Sequence, residues 1–405
     1  MTLHPKGELM RPPSELLRWS FIVLVLITGT GTSGVRAQAQ YYVTPSVAVL
    51  KAYDDNLFFT ADNAESDTFT RVSPAIEGGY ESARVDWSVS YRFDGEAYDE
   101  FSALDSNIAR RFADAEIAYG VNAKLLLAAD VSYTLTNTPT DINLGASVVV
   151  PGLLLGRASA ERLLFHPSIQ YEVTPTTTAS TALTVTHDRL ADTLESDTQI
   201  AEVDFETRLS DVNALTYGYV YRRFEFDLGR DSLNNITVSA QDSHTPWIGF
   251  DHQFSARTSV AGSVGPRIYD DSVEPFVEMS IRHQYANGEL QLGYERNETT
   301  VLGQIGRVES QTVSATLQYR IGANFAATLR PDYAKLSQNN SDVDIYGMGM
   351  HAEYRINNAL SLTASYDLNQ QEVDFNDGTT SSTTRSLAML GFILTFPRTR
   401  DVEAR

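Results

Sequence analysis

The chain has 405 residues, 42% of them hydrophobic and 20% charged, with no cysteine and 52 acidic against 31 basic positions for a formal net charge of −21. The absence of cysteine excludes a disulfide framework, a thiolate metal site and a cysteine nucleophile. The acidic excess repels phosphate backbones, so nucleic acid is not an expected partner. With 20 Tyr and 18 Phe the chain is too aromatic for a disordered acidic polymer.

The first element in chain order is a leader. Lys6, Arg11 and Arg18 precede an apolar run over 19–27, and Ala37-Gln38-Ala39 supplies a small-residue cleavage pattern. Residues 1–39 are therefore expected to be a signal peptide removed on Sec export. The run is shorter than the roughly 20 residues of a spanning helix, and no later segment reaches that length.

Beyond residue 40 the dominant signal is period-2 alternation, the mark of a strand whose side chains point to opposite faces. Over 84–94, Val85, Trp87, Val89, Tyr91 and Phe93 alternate with Arg84, Asp86, Ser88, Ser90, Arg92 and Asp94. The pattern returns over 161–173, where Leu163, Phe165, Ile169 and Tyr171 oppose Arg162, His166, Ser168 and Gln170. Val203 and Phe205 oppose Glu202, Asp204, Glu206 and Arg208, while Val277, Met279 and Ile281 oppose Glu274, Glu278 and Arg282. Val313, Leu317 and Tyr319 oppose Gln318 and Arg320, and Tyr346, Met350 and Tyr354 oppose His351, Glu353 and Arg355. Soluble sandwiches favour strands of about 5 to 6 residues. These runs are longer, as membrane barrels require.

Connections alternate between short turns, such as 81–83, 120–123 and 286–288, and longer polar stretches, such as 54–67, 99–107 and 136–157. Asn287-Gly288 reads as a hairpin turn. Short turns on one rim and long loops on the other describe an all-β, antiparallel up-and-down transmembrane barrel over 40–396, with about 18 strands and 16 as the alternative. The last strand closes on Gly391, Leu394 and Phe396, resembling the outer-membrane assembly signal that the barrel-assembly machinery reads, with 397–405 left as a short periplasmic tail.

Tyr53-Asp54-Asp55-Asn56-Leu57-Phe58-Phe59-Thr60, then Arg71-Val72-Ser73-Pro74, then Asp86-Trp87-Ser88-Val89-Ser90-Tyr91 together resemble the outer-membrane β-barrel porin family of the second type, whose members are often encoded near exopolysaccharide loci. The resemblance implies an outer-membrane location in lipid and lipopolysaccharide. It further implies a conduit for polysaccharide or other hydrophilic solutes, working with periplasmic polysaccharide-export proteins. A closed structural or adhesion barrel and an outer-membrane barrel hydrolase are the alternatives.

Lumen-lining residues are expected at Arg84, Asp86, Arg92, Asp94, Arg162, Glu202, Asp204, Glu206, Arg208, Glu274, Glu278, Arg282, Arg320, Glu353 and Arg355. For a hydrolase, the candidates are His187 with Asp188 and His244 with Ser243, although neighbours on a strand face opposite ways. Weighed together, these pairs do not make an enzyme the expected reading. Asp54, Asp55, Asn56, Asp62, Glu65 and Asp67 offer oxygen ligands for a divalent cation, without tight ligand spacing. No cofactor or metal is expected. The apolar loop 136–157 either folds into the barrel as a constriction or extends the strands above it.

Overall fold

The computed structural model describes residues 40–402 apart from 140–141, 143–155, 192–193, 231–235, 270–271, 301–305, 339–340, 376–378 and 397–398. The expected signal peptide and most of loop 136–157 lie outside the described residues.

The described chain is almost wholly strand. In order these are β1 (Gln40–Asp54), β2 (Asp67–Glu81), β3 (Val85–Tyr98), β4 (Ser106–Asn122), β5 (Leu125–Thr136), β6 (Ala160–Thr174), β7 (Thr177–Leu190), β8 (Leu194–Ser210) and β9 (Asn213–Arg230). They continue with β10 (Ile236–Ser255), β11 (Thr258–Tyr269), β12 (Ser272–Tyr285), β13 (Gly288–Thr299), β14 (Val308–Ile321), β15 (Phe325–Gln338), β16 (Ser341–Arg355), β17 (Leu360–Phe375), β18 (Thr380–Thr395) and β19 (Thr399–Val402). One 3-10 turn, Ser102–Leu104, lies between β3 and β4.

From β1 to β18 each strand pairs antiparallel with its sequence neighbour, and β1 pairs with both β2 and β18, so the sheet closes on itself. Closure leaves no unpaired edge, which is how a sheet of this width satisfies its backbone without a further layer. At the seam Ser46 faces Thr395 and Asp54 faces Leu387. The short β19 then resumes pairing with β1, Val43 opposite Thr399 and Gln40 opposite Val402. Part of the segment expected as a tail is therefore paired to the wall, continuing the stave of β18. The barrel has 18 staves; the 16-stave alternative fails because β10 and β11 form full strands where the sequence boundaries are weak.

Alternation assigns the two faces. One face carries the large exposed apolar side chains, among them Val49, Tyr53, Val72, Ile76, Phe165, Ile169, Ile248, Phe250, Met279, Val313, Met350 and Phe392. The other carries charges buried as deeply as Arg267, which is 1% exposed. A side chain on the convex side of a closed barrel has nothing to cover it, so the buried polar face is the inside. Strands β1 to β18 hold 12 to 20 residues, more than the about 9 to 11 that a tilted strand needs to cross hydrocarbon.

One turn differs from the expectation. Tyr285 pairs directly with Gly288, so Ala286 and Asn287 form the tip and Gly288 belongs to β13. Gly288 is needed instead for close approach, because a Cβ there would run into the backbone oxygen of Gln318 on β14.

Candidate functional site

The candidate site is the bore, and its two ends are built differently. Near the long-loop end every strand from β1 to β18 contributes at least one buried residue: Ala52, Phe69, Glu96, Arg110, Thr136, Ala160, Asp188, Thr198, Phe224, Thr245, Arg267, Phe276, Glu298, Val308, Leu336, Val343, Gln371 and Leu387. An inner wall facing open water would leave such side chains wet. This collar is covered, in part by chain that folds inward from the rim.

Loop 55–66 is the clearest covering. Leu57 is 0% exposed and packs with Ala52, Phe69, Tyr98 and Leu387. Phe69 and Tyr98 stack at 4.7 Å, and Phe58 meets Phe101 edge-on at 5.5 Å. Asp67 accepts hydrogen bonds from the backbone N–H of Glu100 (3.1 Å) and Phe101 (2.9 Å), tying this loop to the next. A second stretch of the collar, on β14 to β16, is apolar: Val308, Ala334, Leu336, Val343 and Ile345 form one cluster, with Val373 against it.

Most charges within the collar are paired, as burial demands. Arg71 and Arg110 each reach Glu96 Oε1 at 3.0 Å, Arg157 lies 3.9 Å from Glu96 Oε2, and Tyr98 donates to Glu96 at 2.7 Å. Arg162 grips Asp188 through two bonds of 2.6 and 2.8 Å. Arg385 holds Asp54 in a fork whose shortest arm is 2.6 Å. Across the barrel, Arg267 reaches Glu274 at 2.8 Å and lies 3.9 Å from Glu298, which Ser243 and Arg307 also approach.

Toward the tight-turn end the inner face opens to solvent. Asp86, Glu206, Arg208, Arg282, Arg320 and Arg355 are exposed there. A cavity of about 530 Å³ is lined by Glu206, Arg208, Asp251, Ser280, Arg282 and Gln291. Between the two ends, Glu202 and Asp204 on β8, Glu278 on β12 and Glu295 on β13 make the middle of the inner wall acidic on this side. Asp204 fits because the neighbouring inward position on β9 is Gly218; a Cβ there would overlap its carboxylate.

The expected lumen residues fall as follows. Asp86, Arg92, Asp94, Arg162, Glu202, Asp204, Glu206, Arg208, Glu278, Arg282, Arg320, Glu353 and Arg355 occupy the inward register of their strands. Glu274 is inward beside Arg267. Arg84 lies in the turn between β2 and β3, on the rim. Asp94 and Arg162 belong to the closed collar, not to the wet bore. The partners Arg71, Glu96, Arg110, Arg267 and Arg385 escaped the sequence reading, although each sits on the polar face of its strand near a loop, where such polarity looks like ordinary rim.

The catalytic candidates separate. His187 bonds Asp197 across β7 and β8 at 2.8 Å on the outward face, while Asp188 points inward to Arg162. His244 bonds Tyr219 outside and Ser243 bonds Glu298 inside. Neither pair joins on one face, for the reason that adjacent strand residues diverge. Of the proposed cation ligands, Asp54, Asp55, Asn56 and Asp67 are engaged by Arg385, the Ser386 N–H, Thr60 and loop backbone respectively. Gly391 faces inward at the seam, where a Cβ would press on Leu50, and Leu394 and Phe396 are exposed outside.

At the outer rim Lys51 bonds Asp99 at 2.7 and 2.8 Å, and Thr68 adds a third bond at 2.9 Å. These bonds hold the Asp99 carboxyl below the ordinary aspartate range.

No protein-family model matches the chain, and no curated protein does. Among solved structures it is similar to the ferric enterobactin receptor of Pseudomonas aeruginosa (TM-score 0.46, 8% identity, 90% of this chain and 81% of that one). It is also similar to the siderophore receptor PirA of Acinetobacter baumannii (0.45, 8%, 90% and 81%) and the FrpB iron transporter of Neisseria meningitidis (0.43, 10%, 90% and 82%). Likeness at this level carries no information about ligand or activity.

Proposed function

We propose that the chain is an outer-membrane barrel that conducts hydrophilic solutes through its bore. The observation carrying this reading is the pairing of an exposed apolar outer face with a charged inner face on the same strands. Lipid is the solvent that rewards the first, and water the second. The signal-peptide pattern of residues 1–39 fits export to that membrane, with the tight turns toward the periplasm. The acidic wall favours cationic over anionic solutes. Polysaccharide as cargo rests only on the resemblance carried by segments 53–60, 71–74 and 86–91; loss of surface polysaccharide on deletion is its test.

A second reading, a sealed structural barrel, is favoured by the buried collar. Planar-bilayer recording separates the two: steady ohmic steps from purified protein support conduction, whereas silence in wild type and in every loop-shortened variant supports the sealed barrel.

A further inference from the structure

Loop 55–66 does more than cover apolar surface. Its first residues are fixed to β18, the strand that closes the barrel against β1. Asp55 N–H donates to the Ser386 carbonyl at 3.1 Å, and Ser386 N–H returns a bond to Asp55 Oδ1 at 2.6 Å. Asn56 donates to the carbonyls of Thr384 (2.9 Å) and Thr60 (2.8 Å) and accepts from Thr60 N–H (3.0 Å). It thereby both shapes the loop and staples it to the wall. Asp54, 1% exposed, takes the Arg385 fork and also accepts the Asn56 N–H at 3.1 Å. The Arg385 guanidinium lies 4.4 Å from the Phe59 ring centroid.

The loop does not adopt this shape by local preference. Phe59 has φ +56 and Asn63 φ +54, a left-handed conformation that a bulky side chain such as Phe rarely takes. Anchors to β18 impose it. They converge on three consecutive wall residues, Thr384, Arg385 and Ser386, and on the buried seat of Leu57 among Phe69, Tyr98 and Leu387. A single guanidinium therefore neutralises Asp54, covers Phe59 and sets the entry angle of the whole loop.

We propose that Asp54–Arg385 with the Asn56 staple is a latch that holds loop 55–66 inside the loop end of the bore, and that its release opens that end. The proposal gives a role to the Tyr53–Thr60 segment that conduction alone leaves unused. It rests on the conduit reading for its biological sense, but the latch is testable without any current flowing.

The chain has no cysteine, so Asp204→Cys places a lone thiol on the bore wall. Intact cells are treated with a maleimide carrying a polyethylene glycol too large for general porins. In the wild-type latch background, labelling should be slow. Arg385→Ala should accelerate it about tenfold or more, and Asn56→Ala by a smaller factor. Heat-modifiable gel mobility identifies the folded barrel; should Arg385→Ala not fold, shortening the loop by removal of residues 58–64 makes the same test. Equal labelling of folded wild type, Arg385→Ala and the shortened loop overturns the latch. Faster labelling of variants that stay electrically silent keeps the latch and sinks conduction; current through wild type with no effect of any loop variant does the reverse.

Discussion

Glu96 at the loop end and Glu206 at the turn end both occupy inward positions on regular strands, yet they live in different media. Glu96 is enclosed by Arg71, Arg110, Arg157 and Tyr98, whereas Glu206 lines a water-accessible cavity with Arg208 and Asp251. The strand pattern is the same in both places; what differs is whether chain from the rim folds back over the wall. Where it does, charges are desolvated and must be paired. Where it does not, they stay solvated and shape the field felt by a passing solute.

That difference is breakable, and the largest effect belongs to the collar. Arg71→Ala leaves Glu96 short of one cation in a dry setting and should cost about 3–5 kcal/mol of folding stability, read by reversible urea unfolding in lipid vesicles. The same truncation at Arg208 should stay within about 0.5 kcal/mol; equal costs at the two positions would erase the contrast. Leu336→Ala, which empties a fully buried seat in the apolar part of the collar, should lose about 2–5 kcal/mol. Next comes the outer face: Met279→Arg puts a charge at an exposed position on β12 and should cost about 2–4 kcal/mol if that site meets the hydrocarbon midplane. In mild detergent micelles with charged headgroups the penalty should shrink.

Neutralising the bore should change selectivity and little else. Glu206→Gln with Asp251→Asn and Glu278→Gln should move the reversal potential toward that of a non-selective pore, with urea midpoints nearly unchanged. A large loss of stability would show that these carboxylates are structural, as Glu96 is. The smallest effect concerns the rim pair Lys51 with Asp99. Because the folded carboxyl titrates below its unfolded value, the pairing contributes at neutral pH and is lost as pH falls through that lowered folded value. Lys51→Ala should raise the Asp99 titration midpoint in NMR toward ordinary aspartate and leave neutral-pH stability almost unaltered, since both groups are exposed.

Legibility in the sequence followed the range of the interaction. Val85 to Asp94 or Thr312 to Ile321 report their faces through alternation alone, because opposite orientation of adjacent side chains is a property of the local backbone. Short turns against long loops likewise gave the stave number. The hairpin at 285–288 turns on Ala286-Asn287, one residue before the Asn287-Gly288 pair, since a glycine can serve a turn or a close strand contact and the letters do not distinguish them.

What only the tertiary structure decided is which polar residues are buried and with whom. Asp54 and Arg385 lie 331 positions apart and meet because the barrel closes. His187 prefers Asp197 to its neighbour Asp188 because register, not adjacency, brings groups to one face. The alternation of this chain determines a wall with an apolar and a polar side; the return of its loops over that wall, a matter of closure and long-range pairing, decides where the bore is dry and where it is wet.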